Sequence, residues 1–532
     1  MSGALTGTGR LLWFALRRDR IQLPLWIVGL GGMIALSALA VPTVYDSPGK
    51  VAGYAATVGA SPVSYLMSGR QAAIDTIGGI TANEISQVAQ LGICLMVMFQ
   101  VVRHTRTEEE TGRAELLRST VLGRHAATLA ALSFAVLTAL LIGCVTIGAM
   151  LAAGLGATGS LTYGAGLTLL GVCYAAVALV AAQLSTSARG ALGITGAAIA
   201  LGYLVRGVGA MQDNGLVWLS PFGWAQLMNA FGVERWWPAV PLVVATAGLL
   251  ALAGYLTAHR DFGGGLLQPR PGPPRASRAL GTSFGFALRL QRGTLIGWAI
   301  GLFVLAMIYG AVIPTIPDLV ESNPDIGQFL GASADAEQAL IDAFMAYILL
   351  FMAVVSTGFA VSSVLRLRAE EDSGRAEAVL ATGVSRTGWV AATVAVAGLG
   401  SLIVVLSMGV GLALGYGLGM GEWDQVVPQV AGQLTYLPGV LVVAAFAMAV
   451  AGLLPRRSML AWVLVAAVFF QTMLGETLRL PDVVEAISPF WHLPAVPDEP
   501  FDPLPGLLEL LVAAALVVLG MWGYRRRDLA SN

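Results

Sequence analysis

Twelve apolar runs, each long enough to cross a bilayer, recur along this sequence: 23–45, 86–104, 126–155, 160–184, 189–210, 237–258, 294–315, 343–366, 388–418, 428–453, 458–475 and 506–524. A helix needs about 20 mostly apolar residues to traverse the hydrocarbon core. Lipid hydrogen-bonds no backbone group, so a span is either a helix or part of a closed barrel. Barrel strands alternate over roughly ten residues, whereas these runs are long and unbroken. The expected fold is an all-α integral membrane protein of about 12 transmembrane helices. The balance of residues agrees: only 11% are charged and the mean hydropathy is +0.76. The first run is too long for the core of a signal peptide and has no small-residue cleavage site behind it, so no cleavable leader is expected.

Arginine placement predicts the orientation. Cytoplasmic flanks of spans carry an excess of Lys and Arg. Arg10, Arg17, Arg18 and Arg20 precede the first run, and further basic clusters follow at 103–124, 260–292, 366–386, 456–457 and 525–527. Every second loop is therefore basic. The alternate loops carry acids, among them Asp318, Glu321, Asp325, Asp335, Glu337, Asp498, Glu499 and Asp502. Both termini are expected in the cytoplasm of a bacterial cell, with the protein multi-pass in the plasma membrane. The three cysteines, Cys94, Cys144 and Cys173, lie inside expected spans and form no metal or disulfide pattern.

The sequence repeats itself. "FALRRDRIQLPLW" at 14–26 answers "FALRLQRGTLIGW" at 286–298, with Arg17 and Trp26 matching Arg289 and Trp298. "RTEEETGRAE" at 106–115 answers "RAEEDSGRAE" at 368–377, identical at seven of ten positions and 262 residues apart. "LSPFGW" (219–224) answers "ISPFWH" (487–492), and "HRDF" (259–262) answers "RRDL" (526–529). The order is collinear, which indicates a duplication of a six-span unit. Both halves then enter the membrane in the same sense, as in parallel repeats related by an axis along the membrane normal. The expected division is 1–262, a linker rich in Gly, Pro and Arg at 263–283, and 284–532. The stretches 8–21 and 280–292 mix Leu, Trp and Phe with Arg, which suits amphipathic helices at the inner interface.

The repeated charged string stands out in so apolar a chain. Glu108, Glu109 and Glu110 are spaced to pair with Arg113 along a helix, and acids before a short helix favour its N-terminus. Leu116 and Leu117, and in the second copy Val379 and Leu380, supply an apolar edge. Each copy is expected to form a short helix across the membrane face. Orientation alone would require the arginines but not the acids beside them.

The string E-E-x-x-G-R-x-E with a later Arg (Arg124, Arg386) resembles the segment after the second span of type-2 ABC transporter permeases. The resemblance takes in the six-span unit, the amphipathic helix before its first span and the polar outer segment before its last. The fused twelve-span form resembles actinobacterial exporters of polyketide antibiotics, the tetronasin type. The resemblance implies that Glu108, Glu109, Gly112, Arg113 and Glu115 belong to one coupling helix, and Glu370, Glu371, Gly374, Arg375 and Glu377 to a second. It further implies docking on two copies of an ABC ATPase subunit that binds ATP and magnesium, with hydrophobic or amphipathic compounds, such as antibiotics, moved outward. Many type-2 permeases have Thr at Arg113 and Arg375, and Pro near Val121 and Gly383; this chain has neither.

Other chemistry is missing from the sequence. A P-loop needs GxxxxGK[ST]. The single lysine, Lys50 in "DSPGKV", lacks the upstream Gly and the following hydroxyl. No cofactor is expected on this chain, which is read as a transport subunit and not an enzyme. His104, His125, His259 and His492 show no metal-ligand spacing. Lipid is an expected partner and nucleic acid is not. The long loops at 46–85 and 316–342 are expected to form short outer helices, and the Ser-Pro-Phe segments an aromatic outer turn.

Few ionisable residues lie deep in the runs, which weighs against coupling to an ion gradient. An ion-coupled secondary multidrug transporter with a six-plus-six repeat remains the alternative, and a membrane-embedded enzyme or scaffold is a third reading. Met96, Met98, Phe99, Phe359, Phe469, Phe470 and Met473 are candidates for a substrate path if spans two, five, eight and eleven line it as in the resembled family. Ordinary packing is the plainer role for each.

Overall fold

A backbone in lipid has no hydrogen-bond partner but itself, and the helices of this chain meet that condition. A computed structural model describes residues 3–59, 62–71, 73–113, 115, 122–260, 264–266, 274–313, 334–421, 423–478 and 481–527. Among the described residues every long element is a helix, and 11 are long and apolar enough to cross a membrane. The run expected at 458–475 meets the helix Leu460–Leu478, of which Leu460–Thr472 is apolar but shorter than the others. The chain divides into two compact units, Met1–Pro271 and Gly272–Asn532.

Unit one opens with α1 (Thr8–Arg18), whose last turn holds Arg17 and Arg18. Its outer side exposes Trp13 and Phe14, and Arg17 stacks over Trp13 at 5.3 Å. The amphipathic helix expected at 8–21 covers Thr8–Arg18. The first span, α2 (Gln22–Val44), contains a π-turn at Ile27–Gly31. Two short helices follow, α3 (Pro48–Thr57) and α4 (Pro62–Ser68). The expected loop 46–85 ends early, because α5 (Ile77–His104) starts nine residues before the apolar run. Thr76 caps it, accepting the Gly79 N–H at 3.1 Å. Next come α6 (Ala126–Ala152), α7 (Ala157–Leu184), α8 (Ala188–Gln212), the short α9 (Pro221–Leu227) and α10 (Ala239–His259). The core lies among α5, α6 and α7, where Ile93, Phe134, Leu170 and Tyr174 are buried.

Unit two begins with α11 (Ser283–Val312). No separate interfacial helix forms at 280–292. Thr282 caps α11, accepting the Gly285 N–H at 3.0 Å, and residues 283–292 are the first turns of the span itself. The loop expected at 316–342 lies mostly outside the described residues. α12 (Ala334–Asp372) is 39 residues long and overruns its apolar stretch at both ends. Then follow α13 (Arg375–Leu380), α14 (Arg386–Met420), α15 (Val426–Thr435), α16 (Leu437–Leu453), α17 (Leu460–Leu478) and α18 (Pro503–Arg526). The core gathers Leu349, Phe359, Val404, Met408 and Val443.

The aromatic turns fold inward. Ser220 caps α9 and its hydroxyl also donates to the Gly202 carbonyl at 2.6 Å. Phe222 is buried against Tyr174 and Tyr203. In unit two Phe490 is buried against Tyr436. The trailing spans α10 and α18 instead show outward rows of Val and Leu, including Val240, Val243, Leu507 and Leu511. Such rows would be a liability in water and are ordinary against lipid. α18 meets α16 backbone to backbone: a Cβ on Gly452 would lie 2.1 Å from the Gly520 carbonyl oxygen, which no side chain permits.

Candidate functional site

The two charged strings build the same arrangement in their own units. In unit one α5 breaks at Thr105 and resumes as a single turn, Arg106–Glu110, which ends at Gly112 with φ 72°. In unit two the acids are the last turn of α12, and the break comes at Gly374, also with φ 72°. A left-handed residue at this point is what glycine supplies without strain. The second copy thus departs from the expected layout: only Arg375–Leu380 is a separate short helix.

Glu109 is held by two arginines. Arg106, fully buried, donates to it from one side. Arg260, just past α10, donates to its two oxygens at 2.6 and 3.0 Å. Arg106 also donates to the Ser185 carbonyl at the end of α7, and to the Gly264 carbonyl at 2.7 Å. The string, the α7–α8 turn and the end of α10 are therefore tied together. Neighbouring Glu108 pairs with Arg18 of α1, and loosely with Arg113 at 3.9 Å. Beside it, buried Asp19 accepts from His104 at 2.8 Å and faces Arg103 at 3.0 Å.

In unit two Glu371 takes the place of Glu109. Arg368 donates to it at 3.0 Å, and Arg527, just past α18, donates to both of its oxygens at 2.6 and 2.8 Å. Arg106 and Arg368 are matched positions of the repeated string, and Arg260 and Arg527 are matched positions of "HRDF" and "RRDL". Glu370 is clasped by Arg366 at 3.1 Å and by Arg375 at 2.6 and 3.2 Å. Hydrogen bonding to that carboxylate raises the Arg375 pKa above the usual guanidinium value. Arg386 closes the arrangement by donating to the Arg527 carbonyl at 3.0 Å.

The ten coupling candidates therefore fall into two groups. Glu108, Glu109, Glu370 and Glu371 point inward and are neutralised by arginines of their own unit. Arg113, Glu115, Gly374, Arg375 and Glu377 are on the exposed edge, with Gly112 half-buried. Glu115 and Glu377 form no ion pair among the described residues. Leu116 and Leu117 lie outside the described residues. A carboxylate shared by two guanidiniums at a membrane boundary gains by charge-assisted bonds what it loses in hydration. That accounts for the acids beside the arginines.

The chain is 37% identical over 530 residues to the multidrug efflux system permease protein Rv1217c of Mycobacterium tuberculosis, with 98% of this chain and 95% of that protein covered. It belongs to that family of permeases. The family described as the C-terminal domain of multidrug efflux system permease Rv1217c also matches residues 280–525, most of unit two. This member of the Rv1217c family is thus a multi-pass permease of the bacterial plasma membrane, an all-α transport protein and not an enzyme.

The path candidates of this permease divide as well. Met96, Met98 and Phe359 are buried in the cores of their units. Phe469 is half-buried and meets Phe351 at a tilt and Phe470 edge-on, while Phe470 is largely exposed. The side chain of Met473 lies outside the described residues. Phe99 stacks on Trp26 at 6.5 Å and lines a cavity of 610 Å³ with Leu23, Gln100, Phe134 and Asp19. Sequence reasoning missed Arg106, Arg260, Arg368 and Arg527 as functional positions. The signal was present, since all four stand in repeated strings, but their partnership across the chain is visible only in the fold.

Proposed function

We propose that this permease is the membrane subunit of an ATP-driven exporter of hydrophobic or amphipathic compounds. ATP and magnesium are bound by a separate ABC ATPase, two copies of which dock on the exposed edges of the two strings. The observation that carries the proposal is the matched pair of clamps. Each string offers Arg and Glu outward, Arg113 with Glu115 and Arg375 with Glu377. Behind that edge it is bolted to the last span of its unit through Glu109–Arg260 or Glu371–Arg527. A surface that only fixed orientation would not need both features. The first string also reaches α1 and the α7–α8 turn through Arg18 and Arg106. A docked motor would therefore move several helices at once.

A second reading has its own observation. Arg206 in α8 and Glu509 in α18 are buried within spans, and neither carboxylate oxygen of Glu509 has a hydrogen-bond partner. Intramembrane ionisable groups often belong to ion-coupled transport. Inverted membrane vesicles separate the two readings. Efflux of a lipophilic dye that needs ATP, survives a protonophore and is lost in the pair Glu115→Arg and Glu377→Arg supports the ATP-driven subunit. Efflux that follows the proton gradient without ATP rejects it.

A further inference from the structure

Unit two contains a second cavity, at the end opposite the Glu371–Arg527 clamp. Its volume is 520 Å³, inside the range of about 300–1,000 Å³ typical of small-molecule sites. Four segments build it: Ile341–Leu349 of α12, the end of α14, α15, and the stretch 496–501 before α18. Met345, Leu349, Tyr416 and Phe501 make most of the wall apolar or aromatic. Gln433 fixes the wall, donating from its amide to the Leu349 carbonyl at 3.2 Å and so tying α15 to α12.

Gln429 is the residue that this packing leaves unexplained. It lines the cavity, is only 1% exposed, and neither atom of its amide has a hydrogen-bond partner. Buried polar side chains almost always find partners, and leaving one without is costly. An amide can donate and accept at once. Among the described residues the charged side chain on the wall is Asp342.

We infer that this cavity is a binding site for a drug-sized amphipathic compound that hydrogen-bonds to Gln429. Its place on the extracytoplasmic side rests on the orientation used in the proposed function. There it holds the exported compound on the outer half of unit two, remote from the motor-side edge.

Binding is measured on the full chain in lipid nanodiscs without ATP, with the lipophilic cation rhodamine 6G as probe and fluorescence polarisation as readout. Gln429→Leu weakens binding about tenfold, the size expected for one lost polar contact. Ala431→Trp, which fills the cavity from an exposed wall position, weakens it further. Ala431→Cys in a Cys144→Ser background leaves the wall intact, and rhodamine 6G slows its reaction with a maleimide. No saturable binding by the native chain, equal affinity in all variants, or maleimide labelling indifferent to the dye overturns the site. Site-dependent binding combined with proton-driven efflux in vesicles retires the ATP-driven reading and keeps the cavity. ATP-driven efflux with no site-dependent binding does the reverse.

Discussion

Arg527 grips both carboxylate oxygens of Glu371 from 156 residues away, at 2.6 and 2.8 Å, and so binds the end of the last span to the end of α12. Both side chains are largely buried, 13% and 3% exposed. Truncating one partner strands the other, at a loss of about 2–5 kcal/mol. Arg527→Leu and Glu371→Leu should each lower the melting temperature of the purified protein, and the double variant should lose less than the two singles together. A double variant that melts as low as the sum of the singles would argue against a direct pair.

The exposed edge should behave in the opposite way. Glu115→Arg and Glu377→Arg touch no ion pair among the described residues, and surface changes of this kind shift stability by about 0.5 kcal/mol or less. The melting curve should stay put while co-purification of the ATPase is lost. Retained association at native yield would move the docking face elsewhere.

Arg206 tests how a cation is tolerated inside a span. It is fully buried, donates to the Met67 carbonyl at 2.9 Å and lies 4.3 Å from the Tyr203 ring, while its Nε and one terminal nitrogen have no partner. The Tyr203 hydroxyl donates to the same Met67 carbonyl, so that acceptor stays satisfied without the arginine. Arg206→Met keeps the volume and should change stability by about 1 kcal/mol or less, because an apolar isostere can replace a buried charge. Arg206→Ala opens a hole and should lose about 2–4 kcal/mol. Equal melting of the two variants would contradict this account.

At the α16–α18 contact, a Cβ on Gly520 would sit 2.6 Å from the Met448 carbonyl oxygen. Gly520→Ala should cost about 1–3 kcal/mol through forced separation of the helices, and Gly520→Leu more. Thermal unfolding in detergent, ranked against the harmless Gly506→Ala, where the nearest atom is a proline ring carbon at 3.4 Å, checks the order.

The spans were legible because lipid demands unbroken apolar helices, and eleven of the twelve runs meet helices of spanning length. Their ends were not legible where a helix continues past the apolar stretch, as at Ile77 and along α12, since a cap such as Thr76 outweighs hydropathy there. The location of the charged strings could be read, but the direction of their side chains could not. Pairing along one helix predicted Arg113 for Glu109; its partners are Arg106 and, 151 residues away, Arg260. The same limit hid the cavity around Gln429, whose wall comes from four separate segments. Phe359, named as a path candidate by its span, is buried in unit two, because burial depends on which face of α12 meets its neighbours.

The close contact of Gly452 with Gly520 also has a mechanical corollary. Side chains are where packed helices yield first, by changing rotamer, whereas close-packed interiors transmit strain. Between α16 and α18 there is no side chain to yield at this point, so the two helices form one beam. Arg527 sits at the end of that beam and holds Glu371. A displacement at Glu371 is therefore passed through Arg527 to α18 and α16 together, with no side chain between the two helices to absorb it at Gly452 and Gly520.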